Sequence, residues 1–262
     1  MQISALILTK NEEEIIEDCL KGLNFADEII VLDQNSTDKT EKIARKITKN
    51  FLKTRDEAFD KNRNLLARQA KGKWLLYLDS DERLTPNLIK EILKSIKEDE
   101  YSAFYVPREN YVLGKHISHG GWWPDYAPRL FKKEDFIEWS GQIHESPKFK
   151  GNAGYLKEPL IHITARNLNL MLEKTIKWAK VEADLYYKSN NPKATILKVV
   201  KSSISEFTFR YLVKAGFLDG VVGLIEAIFQ ALHKIIVFTY LWEMQNDTNR
   251  KFENEKQLTA KR

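Results

Sequence analysis

The stretch Trp74-Leu75-Leu76-Tyr77-Leu78-Asp79-Ser80-Asp81-Glu82 decides the fold of this chain. Its opening apolar residues predict a buried strand, which ends abruptly at two carboxylates separated by one small residue. In an open α/β sheet, ligands bind beyond the carboxyl ends of the strands. Two acidic side chains there form an oxygen-rich site that suits Mg²⁺ or Mn²⁺ holding a substrate diphosphate. An isolated Asp-Ser-Asp triplet is more often a solvated turn, so the interpretation depends on the other strand ends.

Two earlier strands also end in polar residues. The apolar run 3–8 leads into Thr9-Lys10-Asn11-Glu12, and the run 28–32 leads into Asp33-Gln34-Asn35-Ser36. Strand and helix patterns alternate through the first hundred residues, which is typical of a parallel sheet with helices on both faces. The polar clusters should therefore converge on one crevice. The remaining predicted elements are helices from Asn11 to Leu20, from Ser36 or Thr37 to Lys46, over 60–70 and over 86–97, and a strand over 50–53.

The phosphate-binding patterns of two large nucleotide-binding classes are absent from the sequence. No G-x-G-x-x-G follows the first strand and no G-x-x-x-x-G-K-[ST] occurs, which argues against a dinucleotide-dependent dehydrogenase and a P-loop enzyme. A nucleotide held without a glycine-rich loop, beside a metal on Asp79-Ser80-Asp81, indicates a nucleotide-sugar site.

The composition is that of an ordinary globular protein: 262 residues, 43% apolar and 30% charged. This length allows one large domain, or one domain with an appendage. The net charge of +5 is modest, and we expect no nucleic-acid partner. The single cysteine, Cys19, cannot form an internal disulfide, and the N-terminus lacks the cationic start of a signal peptide. Both features predict a cytoplasmic protein.

The chain resembles the family 2 glycosyltransferases of the GT-A fold. The resemblance covers roughly residues 1–100, and it is carried by Leu-Ile-Leu-Thr-Lys-Asn-Glu-Glu at 6–13, by Ile30–Thr40, by Asn62-Arg63-Asn64 and by Leu78–Glu82. A narrower resemblance, to the bacterial lipopolysaccharide core β-glucosyltransferases, rests on Trp122–Tyr126, Arg129-Leu130-Phe131, His144-Glu145 and Ala215–Gly220. It implies a Rossmann-like, mostly parallel α/β sheet flanked by helices, with a C-terminal helical appendage.

The resemblance implies a role for each matching residue. Thr9, Asn11, Glu12 and Asp33 would line the nucleoside pocket, and Arg63 would approach the uridine or pyrophosphate. The Asp79-Ser80 pair would hold the ribose and sugar, while Asp81, with Asp79, would bind Mg²⁺ or Mn²⁺. Family members generally invert the anomeric centre, which implies an α-linked donor and a β-linked product.

Inverting transfer also needs a base that takes the acceptor proton. Glu134-Asp135 lies in a charged stretch that we interpret as a turn, so Glu145 is the preferred base and Asp125 the second candidate. His144 would be a third metal ligand or would orient Glu145, although a structural role is an equal alternative. His162, in the predicted strand around 160–163, is a further candidate metal ligand, although a core position is more common for a histidine in such a strand. For the acceptor we expect contacts with Trp122, Trp123 and Arg129, since aromatic faces suit sugar rings.

After about residue 167 the apolar period becomes helical. The run 217–242 is rich in apolar residues, but charges interrupt it, so an in-plane amphipathic helix fits better than a spanning one. The basic residues that precede it predict contact with an anionic membrane surface; the alternative is a helix that packs on the catalytic domain or against a second copy. The predicted organisation is therefore a catalytic domain over 1–166 (nucleotide-sugar half 1–100, acceptor half 101–166), helices over 167–244 and a disordered polar tail over 245–262.

The predicted function is transfer of a hexose, glucose by the resemblance, from a UDP-sugar to a lipid-linked glycan such as lipopolysaccharide inner core. The enzyme would act as a peripheral protein on the inner membrane. One alternative is a sugar-phosphate nucleotidyltransferase, but such enzymes usually carry a glycine-rich loop near the N-terminus. The other is a non-catalytic carbohydrate-binding scaffold, against which the intact Asp79-Ser80-Asp81 argues.

Overall fold

The computed structural model describes residues 1–56, 58–98, 100–141, 145–190 and 193–246. The chain divides into two compact units. The sheet unit comprises Met1–Tyr111 and Pro124–Thr164, and the helical unit comprises Val112–Trp123 and Ala165–Arg262. The segment Val112–Trp123 thus groups with the C-terminal helices, whereas the sequence analysis assigned it to an acceptor half over 101–166.

Four parallel strands form the first half of the sheet, in the order β3-β2-β1-β4. Their side chains alternate between two apolar clusters: Ile3, Ala5 and Ile7 face one, and Leu6 and Leu8 face the other. Because both faces are covered, the strands read as continuous apolar runs, and this is why the sequence identified them. The strands are β1 (Ile3–Thr9), β2 (Glu28–Asp33), β3 (Asn50–Lys53) and β4 (Trp74–Asp79).

The helices between these strands differ from their predicted starts at two places. Asn11 does not cap a helix: its backbone is left-handed (φ 53°), and its Oδ1 accepts from the backbone N–H of Thr37 at 2.8 Å. Ser36 donates to Asp33 rather than starting a helix. Both side chains tie one strand-end loop to the other, so the helices begin later. The helices are α1 (Ile16–Lys21), α2 (Thr40–Ala44), α3 (Phe59–Gln69) and α4 (Pro86–Glu98).

The second half of the sheet is mainly antiparallel, and the order continues from β4 through β8-β6-β12-β5. Lys133–Asp135 form the turn expected at Glu134-Asp135. This mixed sheet with flanking helices confirms the predicted α/β fold class. The strands are β5 (Glu82–Leu84), β6 (Ala103–Val112), β8 (Tyr126–Lys132), β11 (Ala153–Tyr155) and β12 (Leu160–Ala165), with β9 (Phe136–Ser140) and β10 (Ser146–Phe149) as a separate hairpin.

The helical unit is built around two long helices that pack on each other through Ala179 and Ala183 of one and Val237, Phe238 and Leu241 of the other. Small residues on the first helix let the larger ones of the second approach closely. The segment Gly216–Asn246 is long and apolar enough, by length and composition, to cross a membrane. The elements are β7 (Lys115–Ile117), α5 (Leu168–Lys188), α6 (Ile196–Thr208), a π-helical turn (Phe209–Val213), a 3-10 turn (Gly216–Asp219) and α7 (Gly220–Asn246).

Capping residues explain where two of these helices start. The Asn167 side chain accepts from Leu170 N–H at 2.9 Å, and Thr195 accepts from Lys198 N–H at 3.3 Å. Such caps satisfy backbone donors that the first helical turn leaves without partners. Helix α7 ends within the predicted polar tail, of which residues 247–262 lie outside the described part of the chain.

Candidate active site

The register of the parallel strands brings three polar ends to one edge of the sheet. Thr9 lies opposite Asp33 on β2, and Leu8 lies opposite Asp79 on β4. Asp33, Thr9 and Asp79 therefore follow one another along the carboxyl edge, where ligands of open α/β sheets bind. The strand register therefore confirms that these strand ends converge.

Asp79 is held by two arginines. Arg63 donates from Nη2 to Oδ1 at 3.0 Å, and Arg129 donates from Nη2 to Oδ2 at 2.6 Å. Burial alone would raise the pKa of Asp79, but the two guanidinium charges outweigh it and hold the pKa below its usual range. Asp79 is thus a fixed anion at the strand end.

Arg129 also binds Glu82, donating to Oε1 at 2.6 Å, and both residues are buried. We expected Arg129 to contact the acceptor; the structure instead gives it two carboxylate partners. Its side chain is 4% exposed and is bound to Asp79 and Glu82. Its physical role is to neutralise the buried Glu82 and the partly buried Asp79, which would otherwise repel each other.

Arg63 connects Asp79 to Glu145. The same guanidinium that binds Asp79 places Nε 3.2 Å from Glu145 Oε2, and it stacks on the ring of Trp139 at 4.7 Å. Burial raises the pKa of Glu145, and the charge of Arg63 offsets this only in part. A carboxylate with a raised pKa is a stronger base than an exposed one.

Asp81 faces a histidine from the other half of the sheet. His162 Nε2 lies 3.6 Å from Asp81 Oδ2, and both side chains are mostly buried. His162 Nδ1 lies 2.6 Å from Asn110 Oδ1, an acceptor, so Nδ1 carries the proton. Nε2 is then the ring nitrogen that faces Asp81.

Asp125 is fixed by three donors. Arg108 binds it with Nε at 3.0 Å and Nη2 at 2.9 Å, and Asn110 Nδ2 donates to it at 3.0 Å. Burial would raise the pKa of Asp125, but these bonds outweigh it and lower the pKa. A low pKa and occupied oxygens make Asp125 a weak proton acceptor. Through Asn110 it instead supports His162.

The predicted nucleoside pocket lies at the ends of β1 and β2. Thr9 Oγ1 is buried and has no hydrogen-bond partner among the described residues. Asp33 is buried and accepts from Ser36 N–H at 2.9 Å, while the Asn11 and Glu12 backbone N–H groups donate to Ser36 and Thr40 at 2.8 Å. These bonds fix the two loops against each other. They do not involve the Thr9 hydroxyl.

A divalent metal fits this edge through two donors. The Asp81 carboxylate and the His162 Nε2 lone pair are ligands that Mg²⁺ and Mn²⁺ accept, with the other ligands supplied by diphosphate and water. Asp79 is a poorer ligand than expected, because both its oxygens face arginines. Among the described residues no group of three or more His, Cys, Asp or Glu side chains forms a metal site. His144, the expected third ligand, lies outside the described residues.

The expected acceptor residues Trp122 and Trp123 belong to the helical unit. Trp122 packs in an apolar cluster with Val112, Ile117 and Met171, as a structural tryptophan would. Trp123 is 43% exposed. Ser80, expected beside the donor sugar, is buried, and its carbonyl accepts from Arg83 at 2.8 Å.

The sequence did not single out Glu82, Arg108 and Asn110 as site residues, and for His162 it favoured a core position over a metal contact. Arg108 and Asn110 alternate on β6, so they share one face of that strand. Two polar residues with this spacing inside an apolar strand were a signal of a buried polar site. The partners of this pair could not be read from spacing, because they lie on other strands.

Several known proteins are similar to this chain. Residues 4–164 match the family described as Glycosyl transferase family 2, and the chain belongs to that family. It is 24% identical to an uncharacterized glycosyltransferase of Rickettsia bellii, over 95% of this chain and 88% of the relative. It is 23% identical to the lipopolysaccharide core biosynthesis glycosyltransferase LpsC of Rhizobium meliloti, over 93% of each chain. It also resembles the crystal structure of Staphylococcus aureus TarS 1–349 in complex with UDP-GlcNAc (TM-score 0.47, 15% identity, 94% of this chain and 91% of that chain).

Proposed function

We propose that this family 2 glycosyltransferase moves a hexose, glucose in the first instance, from a UDP-sugar to a lipid-linked glycan with inversion at the anomeric carbon. The observation that carries the proposal is the link Asp79–Arg63–Glu145. One guanidinium joins the carboxylate at the donor strand end to a buried carboxylate of raised pKa. Donor binding and proton acceptance are thus supported within one connected site.

The donor would lie along the carboxyl edge of β2-β1-β4. Asp33 and the buried Thr9 hydroxyl would meet the uridine, with Asn11 and Glu12 closing the pocket. Arg63 would meet the diphosphate, and Asp79-Ser80 the ribose and sugar. The Thr9 hydroxyl supports this assignment best, because a buried polar atom without a partner costs free energy unless a ligand satisfies it.

Asp81 and His162 would hold Mg²⁺ or Mn²⁺, and His144 remains a candidate for a third ligand. When bound, such a cation neutralises the charge that develops on the departing UDP. The chain contributes the orientation of its ligands: Asp125 holds Asn110, and Asn110 fixes the His162 tautomer. Asp125 is therefore assigned to positioning and Glu145 to proton transfer.

In the reaction the acceptor hydroxyl gives its proton to Glu145. The acceptor oxygen forms a bond to the anomeric carbon, while the bond from that carbon to the diphosphate oxygen breaks. UDP leaves with the bonding electron pair, and the configuration inverts because attack and departure occur on opposite faces. Burial of Glu145 assists, since a carboxylate that is poorly solvated accepts a proton more readily.

For the acceptor we propose a membrane-borne glycan such as lipopolysaccharide inner core, at the cytoplasmic face of the inner membrane. Support comes from the similarity to LpsC along nearly the whole chain. Trp122 and Trp123 remain the proposed acceptor aromatics. Contact with an anionic membrane, or with a second copy, is proposed for the C-terminal helices.

The test is a transfer assay in detergent with a panel of UDP-sugars, Mn²⁺ and extracted lipid-linked glycans. The proposal predicts release of UDP and a mass increase of one hexose on the acceptor, both abolished by chelation. A sugar-phosphate nucleotidyltransferase would instead release pyrophosphate from a nucleoside triphosphate. A non-catalytic scaffold would bind the glycan and release neither product.

A further inference from the structure

Helix α6 and the π-helical turn after it carry an apolar stripe that faces solvent. Ile196, Val200, Ile204 and Leu212 recur at multiples of four residues, and all are exposed, Ile196 at 83%. Of the described residues in α6 and Phe209–Val213, none is buried. A helix of a globular protein turns such a stripe toward its core. A contiguous exposed apolar stripe indicates a surface that meets an apolar partner.

The turn that follows, between Ala215 and Gly220, exposes two more apolar side chains. Ala215 (φ 55°) and Gly220 (φ 64°) adopt left-handed backbone, and between them Phe217 and Leu218 are exposed. The turn packs closely on the preceding helical turn: a Cβ on Gly216 would lie 2.8 Å from the carbonyl oxygen of Arg210. Strained backbone is maintained where the surrounding structure fixes it, and such sites are often functional.

Asp219 fixes the same turn from beneath. Its carboxylate accepts from the backbone N–H groups of Ser118 at 3.2 Å and His119 at 2.8 Å, and it lies 2.8 Å from His119 Nδ1. These bonds are between residues about a hundred positions apart. They anchor the turn to another segment of the helical unit, so that Phe217 and Leu218 are held outward by a rigid base.

The basic residues around this surface favour an anionic partner. Between residues 193 and 218 the chain has five basic residues and one acidic residue, Glu206, which pairs with Arg210. Two copies meeting through this face would bring like charges together. Anionic lipid headgroups would neutralise them, and apolar side chains flanked by lysines are typical of segments that lie at a membrane interface.

We infer that an apolar tip, consisting of Leu212, Val213, Phe217 and Leu218, inserts into the headgroup–acyl boundary of an anionic bilayer, with the α6 stripe beside it. This inference rests on the proposed function for its purpose, since the acceptor would be in that membrane. It differs from the expected in-plane helix over 217–242. One face of α7 is unavailable, because Val237, Phe238 and Leu241 are buried against the rest of the helical unit.

The test is co-sedimentation of the full chain with vesicles of phosphatidylcholine alone and of a phosphatidylcholine–phosphatidylglycerol mixture. The double variant Phe217→Ser, Leu218→Ser should weaken binding to the mixed vesicles about tenfold or more. The free energy gained by moving two apolar side chains from water into the bilayer is lost. The matched control is Ile137→Ser, an equally exposed apolar residue of the sheet unit, which should bind like the parent. Higher salt should weaken binding of all three proteins.

A second measurement keeps the inference falsifiable if the double variant folds poorly. Leu218→Cys, labelled with an environment-sensitive fluorophore, should shift to the blue on adding mixed vesicles, and Ile137→Cys should not. Cys19 is buried and should resist labelling. Vesicle binding without a shift at Leu218 would overturn the inference. The inference would also be overturned if the parent formed a dimer, did not bind vesicles, and lost the dimer in the double variant. The partner of this surface would then be a second copy of the chain.

The outcome separates this inference from the proposed function. Donor hydrolysis in detergent, measured on the same variants, should equal that of the parent. If the parent protein transfers sugar in detergent but does not bind vesicles, only the inference about the apolar tip is refuted. A parent that binds vesicles through Leu218 but turns over no UDP-sugar refutes the transferase proposal alone.

Discussion

Arg63 places Nε 3.2 Å from a carboxylate oxygen of Glu145 while its Nη2 donates to Asp79 at 3.0 Å. The two carboxylates behave differently despite sharing this arginine. Asp79 has a second guanidinium, and its pKa is lowered; Glu145 has burial as its main influence, and its pKa is raised. One arginine thus connects an anion that stays charged to a group able to take a proton.

Replacing Glu145 by Gln should lower kcat about 100-fold to 10,000-fold, the range expected for loss of a general base. UDP affinity should stay within about twofold, because the amide keeps the shape of the side chain and Arg63 keeps Asp79. Steady-state transfer kinetics measure kcat, and UDP calorimetry measures the UDP affinity. Glu138→Gln, an exposed glutamate paired with Lys148 on the neighbouring hairpin, is the control.

The same residue sets the acid side of the pH profile. Since Glu145 acts as the unprotonated base and its pKa is raised, kcat/KM should rise with pH through a midpoint above the usual glutamate range. The Gln variant should lose this limb. A Glu145→Gln enzyme that retains transfer but loses UDP affinity would assign the residue to donor binding instead.

Asn110→Ala should weaken Mn²⁺ binding about 10- to 100-fold, a typical effect of removing a residue that orients a metal-binding histidine. Without the Asn110 acceptor at 2.6 Å, the His162 tautomer is no longer fixed. Mn²⁺ titration by electron paramagnetic resonance, with UDP present, measures this directly. His162→Gln should weaken binding at least as much, and His116→Gln, exposed on β7, should not. Equal Mn²⁺ affinity in the parent and both site variants would remove His162 from the metal site.

Arg129→Met should destabilise the sheet unit by about 3–5 kcal/mol, because the buried carboxylate of Glu82 and the partly buried carboxylate of Asp79 each lose their nearest counter-charge. Urea unfolding, monitored by the tryptophans, tests the size of the effect. The triple variant that also carries Asp79→Asn and Glu82→Gln should recover part of the loss. No recovery would show that Arg129 acts through packing and not through charge.

In the helical unit, Glu182 binds His233 Nε2 at 2.8 Å and Lys234 Nζ at 2.9 Å. The hydrogen bond from His233, followed by that from Lys234, lowers the pKa of Glu182 to about 2. A lowered carboxyl pKa contributes stability that is complete above the unfolded-state value and is lost as pH falls through that value toward about 2.

Glu182→Gln should therefore cost about 1–2 kcal/mol near neutral pH, a figure reduced for the partial exposure of the carboxylate. The gap between parent and variant should close in acid. Denaturant unfolding across pH, with exposed Glu173→Gln on the same helix as control, measures the gap. A gap that persists unchanged at low pH would mean that side-chain shape, and not charge, stabilises the pair.

The parts of the fold that the sequence predicted are those encoded locally. Strand β4 and the helix that begins at Pro86 have an uninterrupted apolar pattern and clear boundaries, with the Thr85 hydroxyl accepting from Leu88 N–H. Asn11 was misassigned as a helix cap because its partner, Thr37, lies 26 residues away. Local propensity favours a cap at an asparagine before glutamates, but a loop-to-loop bond took its side chain.

The site shows the same division. Asp79 and Asp81 were found because they follow one strand directly. The partners of Asp79 and His162 were not, since Arg129 is 50 residues from Asp79 and Asn110 is 52 from His162. Such pairs depend on the register between antiparallel strands, which one sequence does not fix. Arg129 was accordingly placed with the acceptor although it is a buried counter-ion.

The central claim is that the edge of β2-β1-β4 binds a UDP-sugar together with a divalent cation. Isothermal calorimetry of UDP, GDP and ADP, each with and without Mn²⁺, tests it most directly, with Asp81→Asn as the variant. The account predicts UDP binding that is selective over GDP and ADP, depends on Mn²⁺ and loses that dependence in Asp81→Asn. Equal binding of all three diphosphates, or UDP binding indifferent to both Mn²⁺ and Asp81, would contradict it.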